Sequence, residues 1–251
     1  MSKIRPKTLF FGKNLVYLPS CQSTNDEAAR LLQQNAAHEG TIVITDNQTA
    51  GRGQRGNSWQ TTPGQNLTLS IVLKPHFLTA TQQFNLNIAI SVGIFDFLEP
   101  YLGTALKIKW PNDIYVENKK LGGILIENTL QNSRIESSIV GIGLNINQSD
   151  FVNLNATSLG QFTGQFYDLE YLLAELAEQL EKNYLLLRNN KFNALKVKYL
   201  QNLFRYQETH WFEYNGERLT GTIIGIDSLG RLAIDIQGIR YFDFKEVQFV
   251  I

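Results

Sequence analysis

The sequence predicts an α+β protein in which a large mixed domain (residues 1–207) is followed by a small all-β domain (residues 208–251). Three observations lead to this prediction. Short β-branched segments alternate with four helical patterns up to about residue 207. The last forty or so residues hold only short apolar segments separated by glycine turns, which is the spacing of a small β-barrel. With 251 residues, 43% of them hydrophobic, the chain can form one large core and a small satellite domain.

The elements of the first domain follow from hydrophobic spacing and from start and stop signals. A helix is predicted to begin at Ser23 or Thr24, because Thr24 and Glu27 fit a capping box. A second helix is expected over residues 84–98 and should end before Pro100. Two later helices are predicted at 169–184 and 192–204. The predicted strands are 17–20, 41–45, 67–73, 106–110, 114–116, 123–127 and 135–145.

Composition narrows the functional class. Lys+Arg and Asp+Glu both count 23, and zero net charge argues against a dedicated nucleic-acid binder. Cys21 is the only cysteine, which excludes an intrachain disulfide and favours a reducing, cytoplasmic compartment. The first twenty residues lack the apolar region of a secretion signal, and we expect no stretch that approaches the length of a membrane span.

A glycine- and arginine-rich loop is the first candidate for ligand binding. Residues 49–59 read TAGRGQRGNSW. The three glycines let the backbone approach a ligand closely, and Arg52 and Arg55 can pair with phosphate or carboxylate. No Gly-Lys-Ser/Thr follows, so this is not a Walker loop. A flexible loop with solvated arginines, or a loose RNA contact, is the alternative that this segment alone leaves open.

Further segments carry side chains that suit charged or planar ligands. In KWPND (109–113), Pro111 fixes a bend that presents an amide and a carboxylate. Lys120 precedes two glycines, and VGIGLNIN (140–147) has glycines at alternate positions, which clears one face of a strand. Ser-Thr-Asn (23–25) stands at a helix start, where hydroxyls are usually caps. Taken singly, each segment is equally an ordinary cap, turn, hairpin or closely packed strand.

The order and spacing of these segments resemble the biotin–protein ligase family. The matching residues are STN (23–25), Gln48, GRGxRGxxW (51–59), KWPND (109–113), KLGGILIE (120–127) and GxGxNxN (141–147). The resemblance implies a mixed β-sheet flanked by helices, like that of class II synthetases, with a C-terminal SH3-like β-barrel. It implies a biotin–[acetyl-CoA-carboxylase] ligase that uses ATP and Mg²⁺ to form biotinoyl-5′-AMP. Biotin then passes to a lysine of a biotin carboxyl-carrier protein, the expected partner.

The resemblance also implies roles at the matching positions. The expected catalytic residues are Lys120, Arg52 and Asp113. Biotin is expected to contact Ser23, Thr24, Asn25, Gln48, Gly51, Arg52, Gly53, Gln54, Lys120, Gly122 and Gly123. The nucleotide is expected to contact Arg55, Trp59, Asn112 and Asn145. Magnesium is expected to be held by the phosphates, with Asp113 as a candidate protein ligand.

The chain departs from the family pattern in three places. Gln54 and Asn57 stand where basic residues are common in the family loop, and FKEV (244–247) replaces the usual Gly-Glu-Val. Only about twenty residues precede the first motif, which points to the monofunctional subgroup without a DNA-binding domain. A homodimer is left open by the sequence.

Three other functions compete with this interpretation. A lipoate–protein ligase or octanoyltransferase would share the fold, but it would carry an Arg-Arg-x-x-Gly-Gly-Gly loop and a histidine element that this chain lacks. A noncatalytic biotin sensor would keep the fold without the chemistry, and the joint presence of Arg52 and Lys120 argues against it. An RNA-binding module would need a basic excess, and there is none.

Overall fold

A seven-stranded mixed sheet lies at the centre of the structure, a computed structural model that describes residues 6–151 and 154–250 except for the side chain of Arg55. Its strands are β1 (Leu15–Cys21), β2 (Ile42–Gln48), β3 (Leu67–Leu73), β4 (Leu106–Lys109), β5 (Asp113–Val116), β6 (Lys119–Gln131) and β7 (Arg134–Leu144). Their order is β1-β2-β3-β7-β6-β5-β4. Strands β1 and β2 pair in parallel, and the remaining neighbours pair antiparallel. Every residue of β3 is buried, so the sheet is covered on both faces there.

Helices flank this sheet. They are α1 (Thr24–Gln33), α2 (Gln83–Leu102), α3 (Leu159–Thr163), α4 (Leu169–Arg188) and α5 (Phe192–Gln201). Helix α2 is buried on nearly all sides and packs closely on α4, where an added Cβ at Gly93 would lie 3.0 Å from the side chain of Leu180. The mixed α+β class predicted from the sequence is confirmed.

A second, antiparallel sheet follows near the C-terminus. Its strands are β8 (Thr209–Tyr214), β9 (Glu217–Ile226), β10 (Leu232–Asp235), β11 (Ile239–Phe242) and β12 (Val247–Phe249), in the order β11-β10-β9-β8-β12. This sheet is consistent with the small β domain expected from the sequence. The division of the chain into two domains at residue 208 stays a prediction.

The prediction that a proline ends the second helix was wrong. Pro100 lies inside α2 and does not end it. It falls in the last turn, where a missing N–H removes a single helical hydrogen bond, and burial of the helix offsets that loss. By contrast, Pro19 lies in edge strand β1 between the paired residues Leu18 and Ser20, a position at which a strand tolerates proline. Helix α5 also ends at Gln201, three residues earlier than predicted.

The expectation that no segment has the size of a membrane span was wrong for one helix. The segment Ala80–Ala105 is long and apolar enough to cross a membrane by length and composition. However, 61% of its most apolar window is buried inside the structure. A helix that is apolar all round is also what the core of a globular protein requires.

Glu181 of α4 fixes the N-terminal segment to the core. This buried carboxylate accepts three backbone hydrogen bonds, from Leu9 (2.6 Å), Phe10 (2.7 Å) and Phe11 (2.9 Å). We expect Glu181→Ala to lower the free energy of unfolding by about 2–4 kcal/mol, because three N–H groups lose a charged acceptor. Chemical denaturation measures this loss.

A matched control for that experiment lies one helical turn away. Among the described residues, Glu178 accepts one hydrogen bond, which is exposed, from the backbone of Lys7 at 2.8 Å. Glu178→Ala should lower the free energy of unfolding by less than about 1 kcal/mol, as expected for an exposed interaction. Equal losses in the two variants would contradict the role given to Glu181.

Candidate active site

A cavity of about 540 Å³ opens between the main sheet and the C-terminal sheet. Its floor consists of residues from β3, β6 and β7. Its walls come from the start of α1 (23–25), the loop 52–59, the bend 109–113, Lys245 and residues 247–249. Seven segments, most of them far apart in the sequence, therefore meet around one space.

One end of the cavity is polar and uncharged. Thr24 donates from its backbone N–H (2.8 Å) and its hydroxyl (3.1 Å) to Oε1 of Gln48. The hydroxyl oxygen of Ser70 lies 2.7 Å from Oγ1 of Thr24 and 2.5 Å from Oδ1 of Asn25. Thr24, Asn25 and Ser70 are buried, so their amide and hydroxyl groups are fixed by one another.

This network corrects the predicted capping box. Ser23, and not Thr24, is the residue before the first turn of α1, and its side chain makes no capping hydrogen bond. The backbone N–H of Thr24 is satisfied by Gln48 of strand β2 instead. The hydroxyl of Thr24 therefore belongs to the wall of the cavity and is not a local helix cap.

Two glycines of β7 leave room for side chains from other segments to lie directly against the floor of the cavity. A Cβ atom at Gly141 would lie 2.5 Å from Oδ1 of Asn25. A Cβ atom at Gly143 would lie 2.4 Å from a ring carbon of Trp59. The alternating glycines were expected to clear the strand for a planar ligand. In the structure they clear it for Asn25 and for the indole ring.

The opposite end of the cavity is cationic. Nζ of Lys120 lies 2.6 Å from Oδ1 of Asp113 and 5.7 Å from the ring centre of Trp59. Nζ of Lys109 lies 3.0 Å from the hydroxyl of Tyr115 and above its ring. Burial lowers the pKa of Lys109 to about 8, with Lys120 adding to the effect and Asp113 opposing it. Two lysines and one aspartate leave this end with a net positive charge at neutral pH.

The bend 109–113 is fixed to the rest of the molecule by hydrogen bonds on three sides. Asn87 of α2 donates to the carbonyl of Pro111 at 2.6 Å. The amide of Asn112 donates to the carbonyl of Ile124 in β6 at 2.6 Å. The indole of Trp110 donates to the carbonyl of Gly230 in the loop between β9 and β10 at 2.8 Å. The bend therefore ties the cationic end of the cavity to the C-terminal sheet.

The glycine-rich loop is a small hairpin and not an open coil. The backbone N–H of Trp59 donates to the carbonyl of Gly51 at 2.9 Å, and the backbone N–H of Gly53 donates to the carbonyl of Asn57 at 2.6 Å. At its tip is a short 3₁₀ turn, Gln54–Gly56. The guanidinium of Arg52 turns toward two acids, with Nη2 at 2.7 Å from Asp26 and 3.1 Å from Glu127.

Most predicted site residues line this cavity. They are Ser23, Thr24, Asn25, Gln48, Arg52, Gly53, Gln54, Trp59, Asn112, Asp113, Lys120 and Gly123. The structure does not bring Gly51, Gly122 or Asn145 to it. A Cβ at Gly122 would strike Leu144, so this glycine permits close packing of β6 on β7. Asn145 is buried and donates to the carbonyl of Thr157. The side chain of Arg55 lies outside the described residues.

Other residues of the cavity wall had no role assigned from the sequence. Lys109 was part of a recognised motif, and its charge was the signal that could have singled it out. Asn57 and Lys245 had been noted only as departures from a family pattern. Val247, Gln248 and Phe249 also line the cavity. No local pattern could place them there, because their position depends on how the second sheet packs.

The described residues contain no group of three or more His, Cys, Asp or Glu side chains that could hold a metal ion. Asp113 is the one carboxylate among the described residues that line the cavity. A lone carboxylate fits a magnesium ion that arrives bound to phosphates, since Mg²⁺ commonly takes one or two carboxylates together with phosphate oxygens.

Comparison with known proteins gives similarities to one family. Residues 17–145 match the model of the biotin/lipoate A/B protein ligase family. The bifunctional ligase/repressor BirA of Bacillus spizizenii is 33% identical over 241 residues, which cover 92% of this chain and 72% of that protein. BirA of Bacillus subtilis is 35% identical over 197 residues, 76% of this chain and 60% of that protein.

Similarity extends to smaller ligases and to solved structures. The biotin–[acetyl-CoA-carboxylase] ligase of Mycobacterium tuberculosis is 26% identical over 220 residues, which cover 86% of this chain and 81% of that protein. A structure of the biotin protein ligase from Aquifex aeolicus in complex with biotin and ATP matches with a TM-score of 0.78 and 27% identity. That match covers 95% of this chain and 100% of the other.

Proposed function

Because the chain belongs to the biotin/lipoate A/B protein ligase family, we propose that it is an ATP-dependent biotin–protein ligase. The observation that carries this proposal is the polarity of the cavity. An uncharged, hydrogen-bonding end built from buried side chains faces a cationic end with Lys120 and Lys109. Biotin has the complementary form, with a neutral ureido ring at one end and a carboxylate at the other.

The first step joins two anions. An oxygen of the biotin carboxylate forms a bond to the α-phosphorus of ATP, and the bond to the pyrophosphate oxygen breaks. The products are biotinoyl-5′-AMP and pyrophosphate. Lys120 offsets the repulsion between carboxylate and phosphate and stabilises charge in the in-line transition state. Asp113, 2.6 Å away, holds its ammonium group toward the cavity. Arg52 is proposed to assist once its guanidinium turns to the ligand.

The second step transfers the biotinoyl group to a carrier protein. The amine of the acceptor lysine attacks the activated carbonyl, an amide bond forms, and AMP leaves with the electron pair of the broken anhydride bond. The amine must lose a proton, and we assign Asp113 as its acceptor, since it is the one carboxylate among the described residues of the cavity wall. The glycine-rich hairpin covers the adenylate and limits its hydrolysis.

Magnesium bound to the ATP phosphates would neutralise the leaving pyrophosphate, with Asp113 as the candidate protein ligand. We assign Trp59 and Asn112 to the nucleotide side of the cavity, together with Lys109. We assign Ser23 to Asn25, Gln48 and Gly123 to the biotin side. A cytoplasmic location stays an expectation from the single cysteine.

Lys109 gives the proposal a pH-dependent signature. Its pKa of about 8 means that the ammonium loses its charge as the pH rises through 8. A neutral amine no longer attracts phosphate, so kcat/KM for ATP should fall above pH 8. Lys109→Arg keeps a charge throughout this range and should remove that decline. A wild-type profile that is flat from pH 7 to 9 would contradict the assignment of Lys109 to the phosphates.

Biotin-dependent exchange of labelled pyrophosphate into ATP tests the first step directly. We expect exchange with biotin and none without it. Exchange that depends on lipoate, and not on biotin, would move the protein to a different substrate class within its family. Biotin binding without any exchange would favour a noncatalytic biotin sensor.

A further inference from the structure

Two carboxylates hold Arg52, and the proposed reaction gives neither of them a role. Nη2 of Arg52 lies 2.7 Å from Oδ1 of Asp26 and 3.1 Å from Oε2 of Glu127. Asp26 lies in the first turn of α1, and Glu127 lies in β6, so two distant segments converge on one nitrogen. That nitrogen carries two hydrogens, and the two acids together can accept both. An anionic ligand would compete with these two acids for the guanidinium.

Arg52 also lies between two neighbouring cavities. It lines the 540 Å³ cavity, and it lines a shallower neighbouring cavity of about 590 Å³. Glu127 lines the second cavity and not the first. Arg52 therefore borders both cavities, and its Nη2 is hydrogen-bonded to Glu127, which lines only the second of them. Gly51 and Gly53 flank Arg52, which gives this stretch of backbone more rotational freedom than other residues would.

We propose that Asp26 and Glu127 are positioning residues that hold the guanidinium of Arg52 in this ion pair, at the edge of the substrate cavity, until the anionic group of a bound ligand displaces them. This inference rests on the proposed function, which assigns Arg52 to that anionic group. The two acids act through Arg52 and do not touch the ligand themselves.

Because these groups are exposed to solvent, breaking their ion pairs costs little free energy. The side chains of Arg52, Asp26 and Glu127 are 45%, 56% and 40% exposed. Exposed ion pairs contribute little to stability. Charge-assisted hydrogen bonds inside a water-poor cavity are stronger, so a carboxylate or phosphate there can compete successfully for the guanidinium.

A second contact connects this ion pair to the neutral end of the cavity. Oε2 of Glu127, which meets Arg52, also accepts a hydrogen bond from Nδ2 of Asn25 at 2.6 Å. Asn25 lies in the wall assigned to the ureido ring of biotin. One carboxylate oxygen of Glu127 therefore holds both Asn25 and Arg52, which anchors the guanidinium beside the neutral end of the cavity.

Titration calorimetry with a charged and an uncharged ligand tests this inference. The variants are Asp26→Asn, Glu127→Gln and the double variant. In the double variant we expect the Kd for biotin to fall about 3- to 10-fold, because two exposed pairs no longer compete for Arg52. Biotinamide lacks the carboxylate and so has no anionic group to pair with Arg52. Its Kd should therefore stay within about twofold of the wild-type value.

Two controls separate a specific effect from a general change of charge. Glu27→Gln removes the same charge from the same helix, but Glu27 pairs with Arg30 and not with Arg52. It should leave both Kd values unchanged. In an Arg52→Ala background, the Asp26 and Glu127 substitutions should lose their effect on biotin.

Three results would overturn the inference. The first is a ratio of the Kd for biotin to the Kd for biotinamide that does not change in the double variant. The second is an equally large fall of the Kd for biotin in Glu27→Gln, and the third is a fall that persists in the Arg52→Ala background. Wild-type protein that binds neither ligand would overturn the proposed function and this inference with it. Biotin binding that is intact but insensitive to the substitutions would overturn the inference alone.

Discussion

Lys120→Ala should lower the rate of biotin-dependent pyrophosphate exchange about 100- to 1,000-fold, the range found when one preorganised transition-state donor is removed. The ammonium group points into the cavity beside Asp113 and close to the ring of Trp59. Without it, Asp113 loses its ion-pair partner and leaves a negative charge where a carboxylate and a phosphate must meet. Both the lost attraction and the added repulsion raise the barrier.

The neighbouring lysine offers a matched control. Lys119 is exposed and lies outside the cavity, one residue before Lys120 in the same strand. Lys119→Ala should leave the exchange rate within about twofold, as expected for a surface substitution. Thermal unfolding of both variants would exclude loss of the fold. A wild-type rate in purified, folded Lys120→Ala would refute the catalytic assignment.

Alanine substitutions at Gly143 and Gly141 should separate the two substrates. At Gly143 the new methyl group would lie 2.4 Å from the Trp59 ring and would push the indole into the space assigned to the nucleotide. We expect the KM for ATP to rise about 10- to 100-fold, in line with the 1–3 kcal/mol that overpacking costs, with a smaller change for biotin. Steady-state kinetics with each substrate varied in turn measures both values.

Gly141→Ala should have the opposite selectivity. Its methyl group would lie 2.5 Å from Oδ1 of Asn25, whose amide is held by Ser70 and Glu127 and cannot simply rotate away. The KM for biotin should rise about 10-fold or more, by the same overpacking cost, while the KM for ATP changes less. If both variants raise the KM for ATP and the KM for biotin equally, the cavity does not have separate biotin and nucleotide sides.

Local patterns predicted much of the fold because the main elements are regular. The buried strand β3 and the amphipathic helix α4 each have the hydrophobic period of their class. Errors arose where tertiary contacts override local signals. Thr24 looks like a helix cap, yet its hydroxyl meets Gln48, and Pro100 looks like a stop, yet the buried helix continues past it.

The candidate site was predictable to the extent that its residues lie in compact motifs. Twelve of the predicted residues meet in one cavity although each motif alone was ambiguous. The carboxylates that hold Arg52 were not predictable. Asp26 and Glu127 are 101 positions apart in the sequence (127 − 26), and only the packing of α1 against the sheet brings them together. The wall formed by Lys245 and residues 247–249 could not be predicted for the same reason.

Intact-mass spectrometry of a biotin carboxyl-carrier domain incubated with this protein, biotin, ATP and magnesium tests the central claim most directly. Parallel incubations omit ATP or replace biotin with lipoate. We predict a gain of one biotinoyl group that requires ATP and does not occur with lipoate. No gain with biotin, from protein that is folded and binds biotin, would contradict the ligase assignment.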